Sequence, residues 1–285
     1  MPLQWTDQQW AQVQQVVHDE ALKSRVAARI LPLYGPVAPD AETVPAQLMT
    51  TEESGLLTGP APQRLRVDDR AVLHLTTISV NVALTTTQMR QPDLASAISM
   101  FRRAANIIAR LEDSIVFRGQ PMEGAVHENS LPNVFKISGG ESSEGLLYSS
   151  RALEGVERPK TGQELVAAVA RAIAELEDRG YVGPYALVLG TGLFVVAETP
   201  EQHSMVLPSD RIRPLLDGPI VRAGMIPPDS GLMISLAGDP VEIVVACDIH
   251  VRFVQMSVEP RYIFRVSERI AVRIKERDAL IALSH

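Results

Sequence analysis

Apolar residues recur with helical spacing in three segments of the chain and alternate with polar ones in several more. Near the start, Trp10, Val13, Val17 and Ala21 mark one face of a helix. Thr6 and Gln9 stand where a capping box would open it, the hydroxyl taking an orphan N–H while the amide reaches back. The pattern predicts a helix to about Arg29, broken by Pro32, Gly35 and Pro36. A longer stripe follows Pro92 and the capping residue Asp93: Ile98, Phe101, Ala105, Ile108 and Ile115 keep one face through Phe117. Roughly 25 residues at 1.5 Å each make a rod of about 38 Å, long for a globular domain. Burying five or six of its apolar side chains contributes on the order of 10 kcal/mol before entropy. A second capping box, Thr161 to Glu164, opens a third helix with Leu165, Val169, Ile173 and Leu176 on one side and Gly180 at its end. Ser209 can start a short helix through Leu216.

Strands are read from β-branched runs and two-residue alternation. Residues 71–84, AVLHLTTISVNVAL, are one such run. In GYVGPYALVLG, 180–190, two glycines and a proline turn the chain into a short apolar strand, Tyr185–Leu189. Leu232–Leu236, Val241–Cys247, Val251–Val258 and Tyr262–Lys275 suit an antiparallel sheet. Ile270, Val272 and Ile274 alternate with Ala271, Arg273 and Lys275, as in a half-buried strand. Two stretches lack such order. Residues 36–70 hold Pro36, Pro39, Pro45, Pro60 and Pro62 with few apolar residues between them. That is too long for an ordinary loop; it is either an excursion without fixed structure or an arm that orders on a neighbour. Residues 119–160, with SGGESSEG at 138–145, read as a flexible loop. Mixed helices and strands without regular β-α-β alternation predict an α+β protein.

The totals narrow the function classes. A chain of 285 residues can bury roughly 75% of its unfolded surface, so it needs no disulfide or metal to fold. A net charge of −7 argues against a general nucleic-acid or anionic-membrane binder. The single cysteine, Cys247, fits a reducing cytoplasm and reads as a buried inert thiol. No cation precedes Lys23, so the basic region of a signal peptide is missing. No apolar run approaches the roughly 20 residues needed to span a bilayer.

Catalytic patterns are absent as well. The histidines at 18, 74, 127, 203, 250 and 285 have no partner at metal-ligand spacing, and His18-Asp19-Glu20 reads as a charged helix surface. Gly139-Gly140 is not followed by Gly-Lys-Ser/Thr, and Gly190-Thr191-Gly192 runs into the bulky Leu193 and Phe194. Asp239 and Asp248 read as turn residues near strand ends. The exception is Glu112, which falls inside the apolar stripe of the long helix, while Asp113, about 100° further round, faces elsewhere. A buried carboxylate needs a partner. Its helical neighbours Ile108, Ala109, Ile115 and Val116 offer none. Glu112 is therefore read as a structural anchor for a distant arginine, with Arg265, Arg269 and Arg273 as candidates; the alternative is a lone catalytic acid.

Five stretches, in their order and spacing, resemble the encapsulins, bacterial nanocompartment shell proteins of the linocin type. They are Trp10 in the opening helix, YGP at 34–36, LEDSIVFRG at 111–119, GPYALVLG at 183–190 and RVSERIAVRIKERDALIAL at 265–283. The resemblance implies the tailed-phage major capsid fold named for phage Hong Kong 97. It divides the chain into an inner-face helix (1–35), an extended loop lying on a neighbour (36–70), a peripheral domain with its spine helix (71–180), an axial domain (181–250) and return strands (251–285). It implies a non-enzymatic subunit that assembles with itself into an icosahedral shell in the cytoplasm. That shell would enclose a dye-decolorising peroxidase or ferritin-like iron protein held by its carboxy-terminal peptide. Arg29, Ile30 and Leu31 match the cargo-peptide groove. Glu198, Glu201 and His203 match the five-fold pore, where His203 would make the charge pH-dependent. Some members stack a flavin on a tryptophan before the spine helix; residues 81–91 here hold no aromatic side chain, so no cofactor is expected. The 119–160 insertion has no matching role. The competing readings are a prophage capsid of the same fold, disfavoured by a chain that starts directly with its packed helix, and a soluble enzyme of unknown type.

Overall fold

A computed structural model describes residues 5–38, 40–53, 63–68, 70–119, 132, 134–140, 145–153, 158–201, 205–257, 259 and 261–284. Half of the 119–160 insertion, including residues 141–144 of its Gly/Ser run, lies outside those residues; the described half holds strand Phe135–Ser138 and helix Gly145–Ser149 where a loop was expected.

Both capping boxes form. Thr6 accepts from the Gln9 N–H and Thr161 from that of Glu164, opening helices Asp7–Ser24 and Gly162–Asp178. The first helix ends five residues earlier than its pattern suggests. Arg25 is extended, and a single 3-10 turn, Ala27–Arg29, follows. The reason is tertiary: the Asp113 carboxylate accepts the Val26 and Ala27 N–H groups at 2.9 and 2.8 Å, drawing the chain out of the helix. The long helix spans Ala95–Arg118, and Leu94, not Asp93, is its cap residue, in the left-handed region at φ 53°. Asp93 and Gln91 serve from one and three residues further out, accepting the Ala95 and Ser96 N–H groups respectively. Gly119 closes the helix at φ 89°, which explains the last letter of LEDSIVFRG.

Two five-stranded sheets carry the fold. The first runs Leu33–Tyr34, Val241–Met256, Arg261–Ile274, Thr76–Thr85, Phe135–Ser138. Ile78, Val80, Val82 and Leu84 alternate onto one face with Phe264, Val266 and Ile270, where the first and long helices pack. Trp5 stacks on Phe264 at 4.9 Å and meets Trp10 edge-on, with its indole N–H donated to the Met89 carbonyl. The run read as two strands, 241–247 and 251–258, is one strand, Val241–Met256, with irregular register around Cys247 that lets it bend past Asp248.

The second sheet orders Ile220–Arg222, Tyr185–Leu189, Gly231–Ser235, Leu280–Ser284, Arg151–Ala152. Tyr185–Leu189 and Gly231–Ser235 are buried on both faces, as their unbroken apolar runs require. Ala186, Val188, Leu232 and Ile234 join the first core; Leu187, Leu189 and Met233 build a second under helix Gly162–Asp178. Helix Gly162–Asp178 packs on the second sheet, which the final strand joins, and Val241–Met256 belongs wholly to the first. Leu232–Leu236, grouped by pattern with the later strands, lies in the other sheet, because alternation cannot say which sheet a strand joins.

YGP at 34–36 has a local explanation. Gly35 sits at φ 137°, and a Cβ there would stand 2.3 Å from the Val245 carbonyl oxygen. The Val37 N–H bonds that same oxygen at 3.0 Å, so the backbone cannot retreat. Gly35→Ala is expected to cost at least about 2 kcal/mol, read as a lowered denaturation midpoint; an unchanged midpoint would show that this turn has slack.

Candidate functional site

The first helix, the long helix and the first sheet converge on one buried charged node. Val13, Val17 and Ala21 step by four residues along the buried face of the first helix, and the next step is Arg25. Its guanidinium contacts three carboxylates: Glu112 from the long helix (Nε–Oε2 2.6 Å), Asp248 from the bulged strand (Nη2–Oδ1 3.1 Å) and Glu268 from strand Arg261–Ile274. Glu112 and Glu268 are 1% and 2% exposed, whereas Asp248 is half open and reaches His18 at 3.5 Å. The Glu112 contact is a close ionic approach rather than an aligned hydrogen bond.

The anchor reading of Glu112 therefore finds its arginine, but a different one. Arg265 turns to Asn81 on the other face of the sheet, Arg273 pairs with Glu242, and Arg269 is at a position that alternates with Glu268. The inward residue of that strand is an acid: Phe264, Val266, Glu268 and Ile270 share one phase. Asp113, about 100° further round the long helix, is also buried, at 3% exposed, and caps the 3-10 turn.

Two buried carboxylates thus share one cation. Burial works against the Arg25 charge, but Glu268, Glu112 and Asp248 together outweigh it and hold the guanidinium ionised. Burial also pushes Glu112 up to about 7 against the pull of Arg25, and raises Glu268 well above the usual carboxylate range, with Glu112 adding repulsion. Asp113 is likewise pushed up to about 7 by burial, against its two backbone donors. Beside the node lies a cavity of about 230 Å³, walled by Arg25, Leu33, Tyr34, Val245 and the node carboxylates. No group of three or more His, Cys, Asp or Glu among the described residues could hold a metal ion.

The second distinctive feature is an arm. Leu48–Glu53 pairs antiparallel with Gln63–Asp68, and below it Thr43–Pro45 pairs with Val72–His74. The lower pair covers the sheet: Val44 and Leu75 form a small core with Val244, Ala246 and Ala271. The described arm residues join none of the three cores, and Leu65 is 84% exposed. Pro45, one of the prolines that obscured the pattern, ends the short strand Thr43–Pro45.

The remaining candidate positions are dispersed. Ile30 and Leu31 pack inward in the first core, and Arg29 is exposed beside them. Glu198 caps the short helix Thr191–Ala197 at its C-terminal end. Glu201 accepts the Gln163 N–H at the start of helix Gly162–Asp178. His203 lies outside the described residues. Gly190 and Gly192 press against the backbone of Pro227 and Pro228, so these glycines serve a chain crossing and not a phosphate.

Residues 3–271 match the family Linocin M18, described as encapsulating protein for peroxidase. The chain belongs to this family of encapsulin shell proteins. A type 1 encapsulin shell protein of Myxococcus xanthus strain DK1622, EncA, is 24% identical over 97% of this chain and 92% of its own. Another, of Rhodospirillum rubrum, is 27% identical over 86% of this chain and 81% of its own. Among solved structures, the virus-like particle from Pyrococcus furiosus matches with a TM-score of 0.71 at 14% identity, covering 97% of this chain and 99% of that one. The capsid of Myoviridae phage XM1 matches with a TM-score of 0.60 at 11% identity, over 88% of each chain. These likenesses show the phage-capsid fold. The encapsulin chain is a structural protein, as its shell relatives are, and its buried node is read as architecture. No helix among the described residues is long and apolar enough to cross a membrane.

Proposed function

We propose that copies of this encapsulin close into an icosahedral shell in the cytoplasm, each arm lying along a neighbouring subunit. The observation that carries this is the arm. A two-stranded ribbon is marginal alone in water, and its open edges invite pairing. Leu65, Val67 and Met49 are all exposed on it. Such a ribbon is stabilised by burial on a partner, and a second copy supplies a matching surface wherever the contact repeats.

We further infer that the shell encloses an enzyme gripped by its carboxy-terminal peptide at the segment Arg29–Leu31 on the inner face, with no cofactor in the shell itself. The family's description supports a peroxidase as cargo, and a ferritin-like iron protein is the other candidate. Each grip is weak, and many sites in one particle multiply it. Glu198, Glu201 and His203 would line the pore at the five-fold axis.

Negative-stain imaging of the purified protein tests the assembly. Uniform closed particles are expected, and removal of residues 48–68 is expected to leave unassembled subunits by sedimentation. A monodisperse monomer from the full chain would overturn the proposal. For the cargo, fusing a relative's peroxidase tail to a fluorescent protein should bring that protein into the particles, and Arg29→Glu should lower its capture several-fold. Equal capture by both would move the groove elsewhere.

A further inference from the structure

The arm leaves the subunit at Gln47, between the lower strand Thr43–Pro45 and the arm strand Leu48–Glu53. Gln47 has a positive φ of 53°, which a side chain bearing a Cβ adopts only when its surroundings hold it there. Here the hold comes from Arg273. The residue is 1% exposed; its guanidinium stacks 4.5 Å from the Tyr34 ring centroid and donates from Nη1 to the Gln47 side-chain oxygen at 2.7 Å. Its charge is met by Glu242, directly opposite on the neighbouring strand, at 2.9 Å. Glu242 also carries Lys275 at 2.9 Å through its other oxygen. Two cations therefore divide one carboxylate, and Arg273 has hydrogen-bonding capacity left over, which Gln47 uses. Two residues past this clamp the arm is stitched to the residue that follows the same strand: the Met49 N–H bonds the Lys275 carbonyl at 2.9 Å.

We propose that Arg273 is a positioning residue for assembly: by fixing Gln47 in its left-handed turn it sets the direction in which the arm leaves the body. The inference rests on the assembly reading above and adds what governs the angle between neighbours. An arm of two six-residue strands projects roughly 20 Å. A small rotation at its root therefore moves the tip far enough to meet the neighbour in another register. A shell closes to one size only if that angle is held, so a loosened root broadens the sizes formed.

The test uses the full chain with Gln47→Ala, which removes the acceptor from a half-buried position without touching either core, and Gln47→Glu, which restores one. Two readouts are taken. The first is amide hydrogen exchange at Met49. Gln47→Ala is expected to exchange roughly tenfold faster than the parent chain, and Gln47→Glu to return to the parent rate. The second is the particle diameter distribution by electron microscopy. One narrow class is expected for the parent and Gln47→Glu, and a broadened or multiple distribution for Gln47→Ala. A role confined to stability would lower the melting temperature of Gln47→Ala and leave the diameters alone. Unaltered Met49 exchange, or parent-like diameters despite faster exchange, would overturn the inference. A parent chain that forms no particles would instead sink the assembly reading, and Met49 exchange would still report on the clamp.

Discussion

Arg25→Met is expected to cost about 3–5 kcal/mol, a large share of the roughly 5–15 kcal/mol that holds a typical domain together. Methionine fills much of the same space, so the loss is electrostatic. Glu112 and Glu268 would remain buried with no cation, and an unpaired buried charge is among the few single changes that unfold a protein. The acids can escape only by taking up protons. The variant should therefore be most damaged at pH 8 and partly recover at pH 5, a dependence that a packing defect would not show. Melting temperatures across that range decide the matter. A variant that melts with the parent at every pH would mean the node is idle.

Glu268→Gln should do the reverse and flatten the pH dependence of stability. Glu112 rises from an ordinary value of 4.5 to about 7, and Glu268 is raised in the same direction. A group whose folded pKa lies above its unfolded one binds more protons when folded. Its stabilising contribution is complete below about pH 4.5 and is lost as pH rises through about 7. Asp113, rising from 3.8 to about 7, adds to the same slope. Glu112 and Asp113 each contribute on the order of a few kcal/mol across the window, and Glu268 acts in the same direction. Glutamine at 268 keeps the acceptor for Arg25 and removes the surplus negative charge. The variant should match the parent near pH 5 and exceed it near pH 8. Parallel melting curves would show that the two acids are not competing for one cation.

These effects place the node at the joint between three elements far apart in the chain. Residues 25, 112, 248 and 268 are brought together only when the first helix, the spine helix and the sheet have docked. A buried ion cluster of this kind adds little net stability compared with an apolar core. It does penalise any other docking, since a shifted helix would strand its charge. That suits a subunit whose shape, repeated around a shell, must be the same in every copy.

Much of this molecule could be read without coordinates, and the parts that could share one property: they depend on residues close in sequence. Both capping boxes, the apolar stripe of the spine helix and the buried strand Tyr185–Leu189 formed where their patterns placed them. The α+β class followed from their order. The oddness of Glu112 was equally plain, because a carboxylate in an apolar stripe violates a local rule. Two further signals lay in the same patterns: the four-residue steps of the first helix lead to Arg25, and the alternation of the last long strand leads to Glu268.

What pattern could not supply was the other end of each interaction. Glu112 could name its need for a cation but not which arginine, since no spacing relates position 112 to position 25. Burial of Asp113 and the early end of the first helix are one event, a carboxylate reaching across to a backbone 87 residues away. The assignment of strands to two sheets, and the ordering of the Pro-rich stretch into a ribbon clamped by Arg273, also required the folded chain. Periodicity reports which face of an element is dry. Only tertiary packing decides what covers that face, because the contact energies that choose among candidate partners exist only once distant segments meet.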